Sequence, residues 1–177
     1  MIILVKVFLV EEENKNPAFH SVVLLVKDVE KSKHFYNVIL GQEIIMDFGR
    51  NVGFKGGLAI WERDYALDLI FKDKLQDIEV GANNAEIYFE SKDLDNLYQR
   101  LLKEKVKIIH SIKEQPWGQR VFRMYDLDNH IVEFAESMES VVLRLVRHGF
   151  SFDEIVKKSK MPLDFIKMVP KKATPNI

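Results

Sequence analysis

The chain has 177 residues, of which 47% are hydrophobic and 30% charged, a balance typical of a globular domain with a filled core. It has no cysteine, which excludes disulfide frameworks, thiolate metal sites and cysteine nucleophiles, and fits a cytoplasmic protein. The formal net charge of -1 gives no overall attraction to nucleic acid or to a membrane surface.

The first ten residues, MIILVKVFLV, are almost all apolar. A membrane-spanning helix needs about 20 such residues, and the EEENKN that follows is not the small-residue cleavage site of a signal peptide. We assign residues 1–18 to an N-terminal extension. It is interpreted as an extra strand or an edge segment, with a translation start upstream of the domain as the alternative.

Residues 19–63 predict a β-α-β-β-β unit. The apolar run SVVLLVKD is typical of a buried strand, and it ends at Asp28, a residue suited to cap a helix. The helix that follows is expected to end at Gly41. Three short strands, EIIMDFG, NVGFKG and GLAIWER, complete the unit. Residues 64–83 are interpreted as a connector with a few buried side chains.

The same unit recurs in residues 84–136. EIYFESKD matches SVVLLVKD 65 residues later, so that Lys92-Asp93 corresponds to Lys27-Asp28. A helical stripe follows, and then the strands KVKIIHSI, QRVFRMYD and HIVEFAE, with a tight turn at DLDN. The fold class is therefore α+β, with two paired βαβββ modules. Two modules together bury their helix-side faces, and their opposite faces are expected to curve into a shared trough for a ligand.

Residues 137–177 predict a helical tail. An apolar stripe closes at Gly149, Ser151 and Glu154 form a capping box, and Pro162 opens a third helix. The last two helices resemble a helix-turn-helix. Because the presumed second helix carries few basic residues, packing or dimer contact is favoured over contact with DNA.

Two motifs carry a resemblance to a known superfamily. KDVEKSKHFYNVILGQE resembles the first-helix signature of glyoxalase and bleomycin-resistance proteins, and YDLDNHIVEFAE resembles their closing motif. The resemblance covers about residues 19–136 and implies the vicinal oxygen chelate fold of glyoxalase I, bleomycin-resistance proteins and extradiol dioxygenases. Because members differ in chemistry, the fold alone does not fix an activity.

The resemblance also implies where a metal would be held, at the first and last strands of each module. Those positions are Ser21 and Glu86 on the first strands and Glu133 on the last strand of the second module. In the first module the alignment allows Trp61 or Glu62. Ser21 is not a usual ligand, and His20 is one residue out of register, which sends it to the other face. An all-oxygen site suits Mg or Mn better than Zn, and Ni is a further candidate.

Strand alternation places Glu86, Tyr88 and Glu90 on one face of their strand. Glu133 lies within an otherwise apolar strand, where burial without a partner costs several kcal/mol. A metal, a buried arginine or a water-filled cleft would each explain it. Glu86 and Glu133 are also the candidate catalytic groups. His110 and His130 lie in or beside strands of module two and could enter the cleft, but they are expected at the surface.

The loop EQPWGQR is expected at the mouth of the trough. Trp117 and Tyr88 are candidate walls for an apolar or aromatic ligand, and Arg120 or Arg123 would pair with a carboxylate or phosphate. The alternative is that the arginines pair with Glu86 and Glu133, and the hidden register of the loop does not decide between them.

These features leave three functions open, each with a small-molecule ligand, a homodimer by resemblance, no organic cofactor and no membrane partner. Nucleic acid is disfavoured as a partner. One is a metal-dependent lyase or isomerase like glyoxalase I, in which the metal acts as a Lewis acid. The second is a metal-free protein that sequesters a small molecule such as a drug. The third is a DNA- or partner-binding sensor in which the helix-turn-helix-like tail reports whether the ligand is bound.

Overall fold

The computed structural model describes residues 17, 19–72 and 81–173. The strands are β1 (Val22–Val26), β2 (Ile44–Asp47), β3 (Asn51–Phe54), β4 (Leu58–Glu62), β5 (Glu86–Ser91), β6 (Lys107–Glu114), β7 (Arg120–Tyr125) and β8 (Ile131–Glu136). The helices are α1 (Val29–His34), which continues into a π-helical turn (Phe35–Ile39), α2 (Arg63–Phe71), α3 (Leu94–Lys103), α4 (Met138–Arg147), α5 (Phe152–Ser159) and α6 (Leu163–Ala173). The extension predicted over residues 1–18 lies almost wholly outside the described residues.

The strands form two four-stranded sheets of identical topology. Their orders are β1-β4-β3-β2 and β5-β8-β7-β6. In each sheet the strand that comes first in the sequence, β1 or β5, pairs in parallel with the strand that comes last, β4 or β8. The remaining pairs are antiparallel. This architecture confirms the two βαβββ modules predicted from the sequence.

Equivalent aspartates begin the first helix of each module. The carboxylate of Asp28 accepts a hydrogen bond from the amide of Lys31 at 3.0 Å, and that of Asp93 accepts one from the amide of Asn96 at 3.2 Å. Each satisfies a donor that the first helical turn leaves free. The caps therefore recur at the spacing that the sequence repeat predicted.

The helix-facing sides of both sheets pack into one hydrophobic core. Its fully buried members come from both modules and include Val26, Tyr36 and Phe54 of the first, and Phe122 and Val132 of the second. Strand alternation leaves the opposite side of each sheet outside this core. The two modules thus share a core through the sides that carry α1 and α3.

Buried hydrogen bonds also join the modules. The Tyr36 hydroxyl donates to Oδ2 of Asp126 at 2.8 Å, and the amide of Lys27 donates to Oδ1 of Asp128 at 3.0 Å. Burial raises the pKa of Tyr36 and the charge of Asp126 raises it further, which keeps the hydroxyl protonated as the donor.

The turn predicted at residues 126–129 is confirmed, and Asp126 organises it. Its Oδ1 accepts hydrogen bonds from the amides of Asp128 at 2.9 Å and His130 at 2.8 Å. The ring of His130 contacts Oδ2 at 2.9 Å and its side chain is only 15% exposed. The expectation of a surface position for His130 is therefore wrong, because the imidazole takes part in the turn.

The segment interpreted as a connector begins with a helix. In α2, Ala66 and Leu67 are buried, and the helix contacts β1 and β4. Leu69 and Ile70 are half-exposed, so apolar residues lie on more than one side of the helix. The sequence therefore lacks the single apolar stripe by which a helix is recognised. Residues 73–80 of the segment lie outside the described part.

The tail forms three helices with their own core, as predicted. The members of this core are Val141, Val142, Leu145, Ile155, Ile166 and Val169. The capping box is present, since the Ser151 hydroxyl accepts from the amide of Glu154 and the Glu154 carboxylate accepts from the amide of Ser151. Over the described ranges, no helix has the length and apolar character needed to cross a membrane.

Candidate functional site

The candidate site lies on the side of the second sheet that faces away from the core. Ile87, Phe89, Val132 and Phe134 belong to the core, and alternation therefore places their neighbours on the opposite side. We call that side the open face of module two; it includes Glu86, Tyr88, Glu90, His110, Gln119, Arg123 and Glu133, together with the apolar Val121, Ile131 and Ala135. The pairing of Tyr88 with Glu133 between β5 and β8 fixes the register.

Arg123 joins the acidic residues of this face. Its Nε donates to Oε2 of Glu86 at 2.9 Å, its Nη2 forms an ion pair with Oε2 of Glu133, and its Nη1 donates to Nε2 of His110 at 3.3 Å. The Glu133 side chain is only 7% exposed, and its Oε2 has no other hydrogen-bond partner in the described chain. The guanidinium therefore supplies the charge that a buried Glu133 needs.

His110 belongs to the same cluster. Its Nδ1 lies 2.8 Å from the carbonyl oxygen of Ser111. Because a carbonyl only accepts, Nδ1 carries the hydrogen, and Nε2 is left to accept from Arg123. His110 is half-exposed on this face and lies directly opposite Arg123 in the pairing of β6 with β7.

A hydrogen-bonded chain connects the two aromatic residues of the candidate site. The indole of Trp117 donates to Oε1 of Gln119 at 3.0 Å, and Nε2 of Gln119 donates to the Tyr88 hydroxyl at 3.0 Å. That hydroxyl donates to Glu90 at 3.1 Å. Partial burial is the largest cause of the raised pKa of Tyr88; the hydrogen bond from Gln119 lowers it, and the charge of Glu90 raises it by a smaller amount. The structure brings Trp117 and Tyr88 together.

Gln119 was missed at the sequence level. It is 5% exposed and lies an even number of residues before Arg123, so both side chains are on the same side of the sheet. That side can be assigned only once the register of the preceding loop is known.

Arg120 lies on the other side of the sheet. Its Nε donates to Glu136 at 2.9 Å and its Nη2 donates to Asp95 of α3 at 2.6 Å. The hydrogen bond to Asp95 is the largest cause of its raised pKa. The structure therefore separates Arg120 from Trp117 and Arg123, and corrects its assignment to the ligand side.

Glu62 is also away from the other candidates. In β4, Ile60 belongs to the core and alternation gives Glu62 the same side, where its carboxylate pairs with Arg50 at 3.2 Å. Trp61 lies on the opposite side and is paired with Leu25 of β1. Ser21 comes just before β1, at the position equivalent to Glu86. The three glutamates proposed as ligands are thus not brought together.

The equivalent side of the first sheet is apolar. We call it the open face of module one; its residues are Val23, Leu25, Ile45, Met46, Gly53, Ala59 and Trp61. Val23 is 42% exposed and Ile45 52% exposed. Met46 lies over Gly53: its Cε is 3.6 Å from the position that a Cβ at residue 53 would occupy.

Three clefts between the described residues lie elsewhere. One of about 630 Å³ lies beside α1 and the turn at residues 126–129, one of about 370 Å³ lies beside α3, and one of about 740 Å³ lies between β5 and α4. None of the three is lined by Glu86, Arg123 or Glu133.

The residues of the open face of module two do not fit a divalent metal. Over the described residues, no group of three His, Asp or Glu side chains could hold one. The carboxylates of Glu86 and Glu133 converge on the guanidinium of Arg123 instead. A divalent cation placed there would be repelled by that guanidinium.

A model of the glyoxalase-like domain matches residues 19–139. The chain belongs to the glyoxalase-like domain family. It is thereby a member of the vicinal oxygen chelate superfamily, as its two motifs predicted. No curated protein matches the chain.

Solved structures share the glyoxalase-like fold. A protein of unknown function from Agrobacterium tumefaciens is 37% identical, with a TM-score of 0.65 over 70% of this chain and 97% of that one. A glyoxalase/bleomycin resistance protein/dioxygenase from Nocardioides is 19% identical, with a TM-score of 0.55 over 68% and 83%. A lactoylglutathione lyase from Agrobacterium tumefaciens is 19% identical, with a TM-score of 0.53 over 69% and 96%. The last two show the fold alone.

Proposed function

We propose that this glyoxalase-like protein binds a small organic molecule with an aromatic or apolar body on the open face of module two, without a resident divalent metal. The observation that carries the proposal is the position of Arg123, whose guanidinium lies between Glu86 and Glu133 on the same side of the sheet as the exposed ring of Tyr88. The protein would therefore act as a binder and not as a metal-dependent lyase or isomerase.

The ion pairs of Arg123 support the metal-free part. A metal at the family position would be held by Glu86 and Glu133, and both carboxylates already have a fixed positive partner. Replacing it would cost the ion pairs and require the guanidinium to move away from the incoming ion. The third expected ligand, Glu62, lies on the other sheet and pairs with Arg50.

The exposed aromatic rings support the choice of ligand. Tyr88 is 47% and Trp117 41% exposed, although both are held by hydrogen bonds through Gln119. Aromatic rings held in this way offer apolar area at a low entropic cost. A flat aromatic molecule stacked on them would leave its polar groups near Glu90 or Arg123.

A homodimer is part of the proposal. In the single chain, the open face of module one presents Val23, Ile45 and Met46, each more than two-fifths exposed. Contiguous apolar patches of this kind mark interaction surfaces. A second copy that covers them would also enclose the ligand, so the ligand would lie between two chains.

The binding experiment uses the neutral aromatic fluorophore N-phenyl-1-naphthylamine. We expect saturable binding by the full chain, weakened at least fivefold by Tyr88→Ala and by Trp117→Ala. Phe150→Ala, which removes an exposed aromatic residue of the tail, is the matched control and should leave the affinity unchanged. Equal affinity of all four proteins would reject the proposed site.

The metal experiment uses protein purified without chelator. Elemental analysis is expected to find less than one-tenth equivalent of Mg, Mn, Ni or Zn, and none of these ions should raise the melting temperature. A stoichiometric ion that is lost in Glu133→Gln would overturn the metal-free proposal and support the lyase or isomerase alternative.

A further inference from the structure

The loop that carries Trp117 is closed by its own backbone. The amide of Gln115 donates to the carbonyl of Gln119 at 2.8 Å, and the amide of Gly118 donates to the carbonyl of Gln115 at 2.8 Å. Inside the sheet, the Gln119 amide group donates to the carbonyl of Glu136 at 2.8 Å. One side of the loop is thus attached to the end of β8.

The other side of the loop contacts the helical tail. Nη2 of Arg144 in α4 donates to the carbonyl oxygen of Gly118, next to Trp117. The same guanidinium donates to Oε1 of Glu136 at 3.1 Å and, through Nη1, to Glu114 at 3.1 Å. A single tail side chain therefore contacts the end of β6, the loop itself and the end of β8.

A second tail residue supports this contact. Nζ of Lys158 in α5 pairs with Oε1 of Glu114 at 2.9 Å. Gly118 has φ +88, and a Cβ there would lie 2.9 Å from Cε of Lys158 and 3.6 Å from Cδ1 of Leu145. The loop therefore packs closely against α4 and α5, and a glycine allows that approach.

We infer that the tail is a working part of the ligand site, and that Arg144 is the positioning residue that holds Trp117 beside Tyr88. The inference rests on the proposed function, in which these two rings form the wall against the ligand. A loop fixed before binding loses less conformational freedom when the ligand arrives, and this raises affinity. Arg144 lies beyond the residues 19–139 that match the family model.

The fold should survive the loss of Arg144. Glu136 is buried, and Arg120 holds it from the other side through its Nε at 2.9 Å and its amide at 3.2 Å. Removing Arg144 therefore leaves this carboxylate paired. The apolar core of the tail, which includes Val141 and Leu145 of α4, also remains.

The experiment measures the motion of Trp117 in the full chain without ligand. Trp61→Phe makes Trp117 the single tryptophan, since the chain has two. In that background, time-resolved fluorescence anisotropy is compared for the parent protein, which keeps Arg144, and for the variants Arg144→Met, Arg144→Lys and Arg147→Met. Arg147 is an exposed arginine at the end of the same helix and serves as the matched control.

We expect Arg144→Met to at least double the amplitude of fast local motion of the indole, Arg144→Lys to give a smaller increase, and Arg147→Met to give none. Circular dichroism should remain unchanged in all three. The affinity for N-phenyl-1-naphthylamine should fall about tenfold in Arg144→Met, mostly through faster dissociation.

Two outcomes separate this inference from the proposed function. If Trp117 is as rigid in Arg144→Met as in its parent, the positioning role is overturned, whatever the fluorophore does. If the indole is released but the parent protein does not bind the fluorophore, Arg144 does position the loop and the proposed binding function fails.

Discussion

Arg123 and Glu133 are directly opposite each other on β7 and β8 and form an ion pair in which the carboxylate is almost fully buried. The pair accounts for an acidic residue in the middle of an apolar strand. It also places a permanent positive charge at the position where metal-using relatives are expected to hold their ion.

The first prediction concerns the stability that this pair provides. Arg123→Met should lower the free energy of unfolding by about 3–5 kcal/mol, because it leaves Glu133 buried without a counter-charge. The double substitution Arg123→Met/Glu133→Leu should recover most of that loss, since no charge then remains to be desolvated. Urea denaturation followed by circular dichroism measures both.

The control for this pair is Arg50→Met, which removes an exposed partner of Glu62. Its cost should be about 0–1 kcal/mol, as for other solvent-screened pairs. If Arg123→Met costs no more free energy of unfolding than Arg50→Met, then Glu133 is hydrated and needs no charged partner.

The second prediction concerns acid. Burial raises the pKa of Asp126, but the hydrogen bonds from His130 and Tyr36 outweigh it and hold the pKa below the usual 3.8. The stabilisation from the charged form is therefore complete above pH 3.8 and is lost as the pH falls through the lower pKa of the folded state. Asp126→Asn should cost about 1–3 kcal/mol at pH 7 and less at pH 3. Urea titrations at both pH values give the comparison.

Asp128 provides the matched control, because burial raises its pKa. The effect of Asp128→Asn should change with acid in the opposite direction, since the folded state favours the protonated carboxyl. If both variants respond to pH in the same way, the assignment of the two carboxylates is wrong.

The third prediction concerns Gly81, which has φ +78. A Cβ at Gly81 would lie 2.5 Å from the carbonyl oxygen of Asp128. This is a backbone atom of the turn at residues 126–129, which is hydrogen-bonded to module one. Gly149 has φ +85 and open space around it, so Gly149→Ala isolates the cost of the left-handed backbone, about 1–2 kcal/mol. Gly81→Ala should cost at least about 1 kcal/mol more, as overpacking does. Equal losses in chemical denaturation would show that the turn yields to the added methyl group.

The fourth prediction concerns self-association through the open face of module one. Ile45→Lys places a charge within an exposed apolar patch, and should weaken the homodimer at least tenfold without lowering stability. Val38→Lys changes another exposed aliphatic residue, on the π-helical turn, and should leave association unchanged. Sedimentation velocity distinguishes the two, and a monomeric parent protein would contradict the dimer.

The modules could be predicted from the sequence because their signals are local. Apolar runs that end in Asp28 and Asp93 define strand and cap together, and the repeat confirms each module by the other. The tail was predictable for the same reason, since Ser151 and Glu154 are three residues apart and interact within one helical turn.

The candidate site was less predictable because it depends on register. Irregular pairing on both sides of His110 in β6 breaks the two-residue period, so its face could not be read from alternation. Arg120 follows a turn closed between Gln115 and Gln119, and the pairing of β7 with β8 sets which of the arginines in β7 faces Glu133. These relations are tertiary, and the neighbouring residues do not encode them.

The two open faces occupy equivalent positions of the repeat and have opposite chemistry. Ser21 stands where the second copy has Glu86, and apolar Val23 and Leu25 stand where it has Tyr88 and Glu90. The repeated unit therefore carries a charged and aromatic face in its second copy and an apolar face in its first. In the proposed dimer, where the ligand lies between two chains, a substitution on either sheet would affect subunit assembly and ligand binding together.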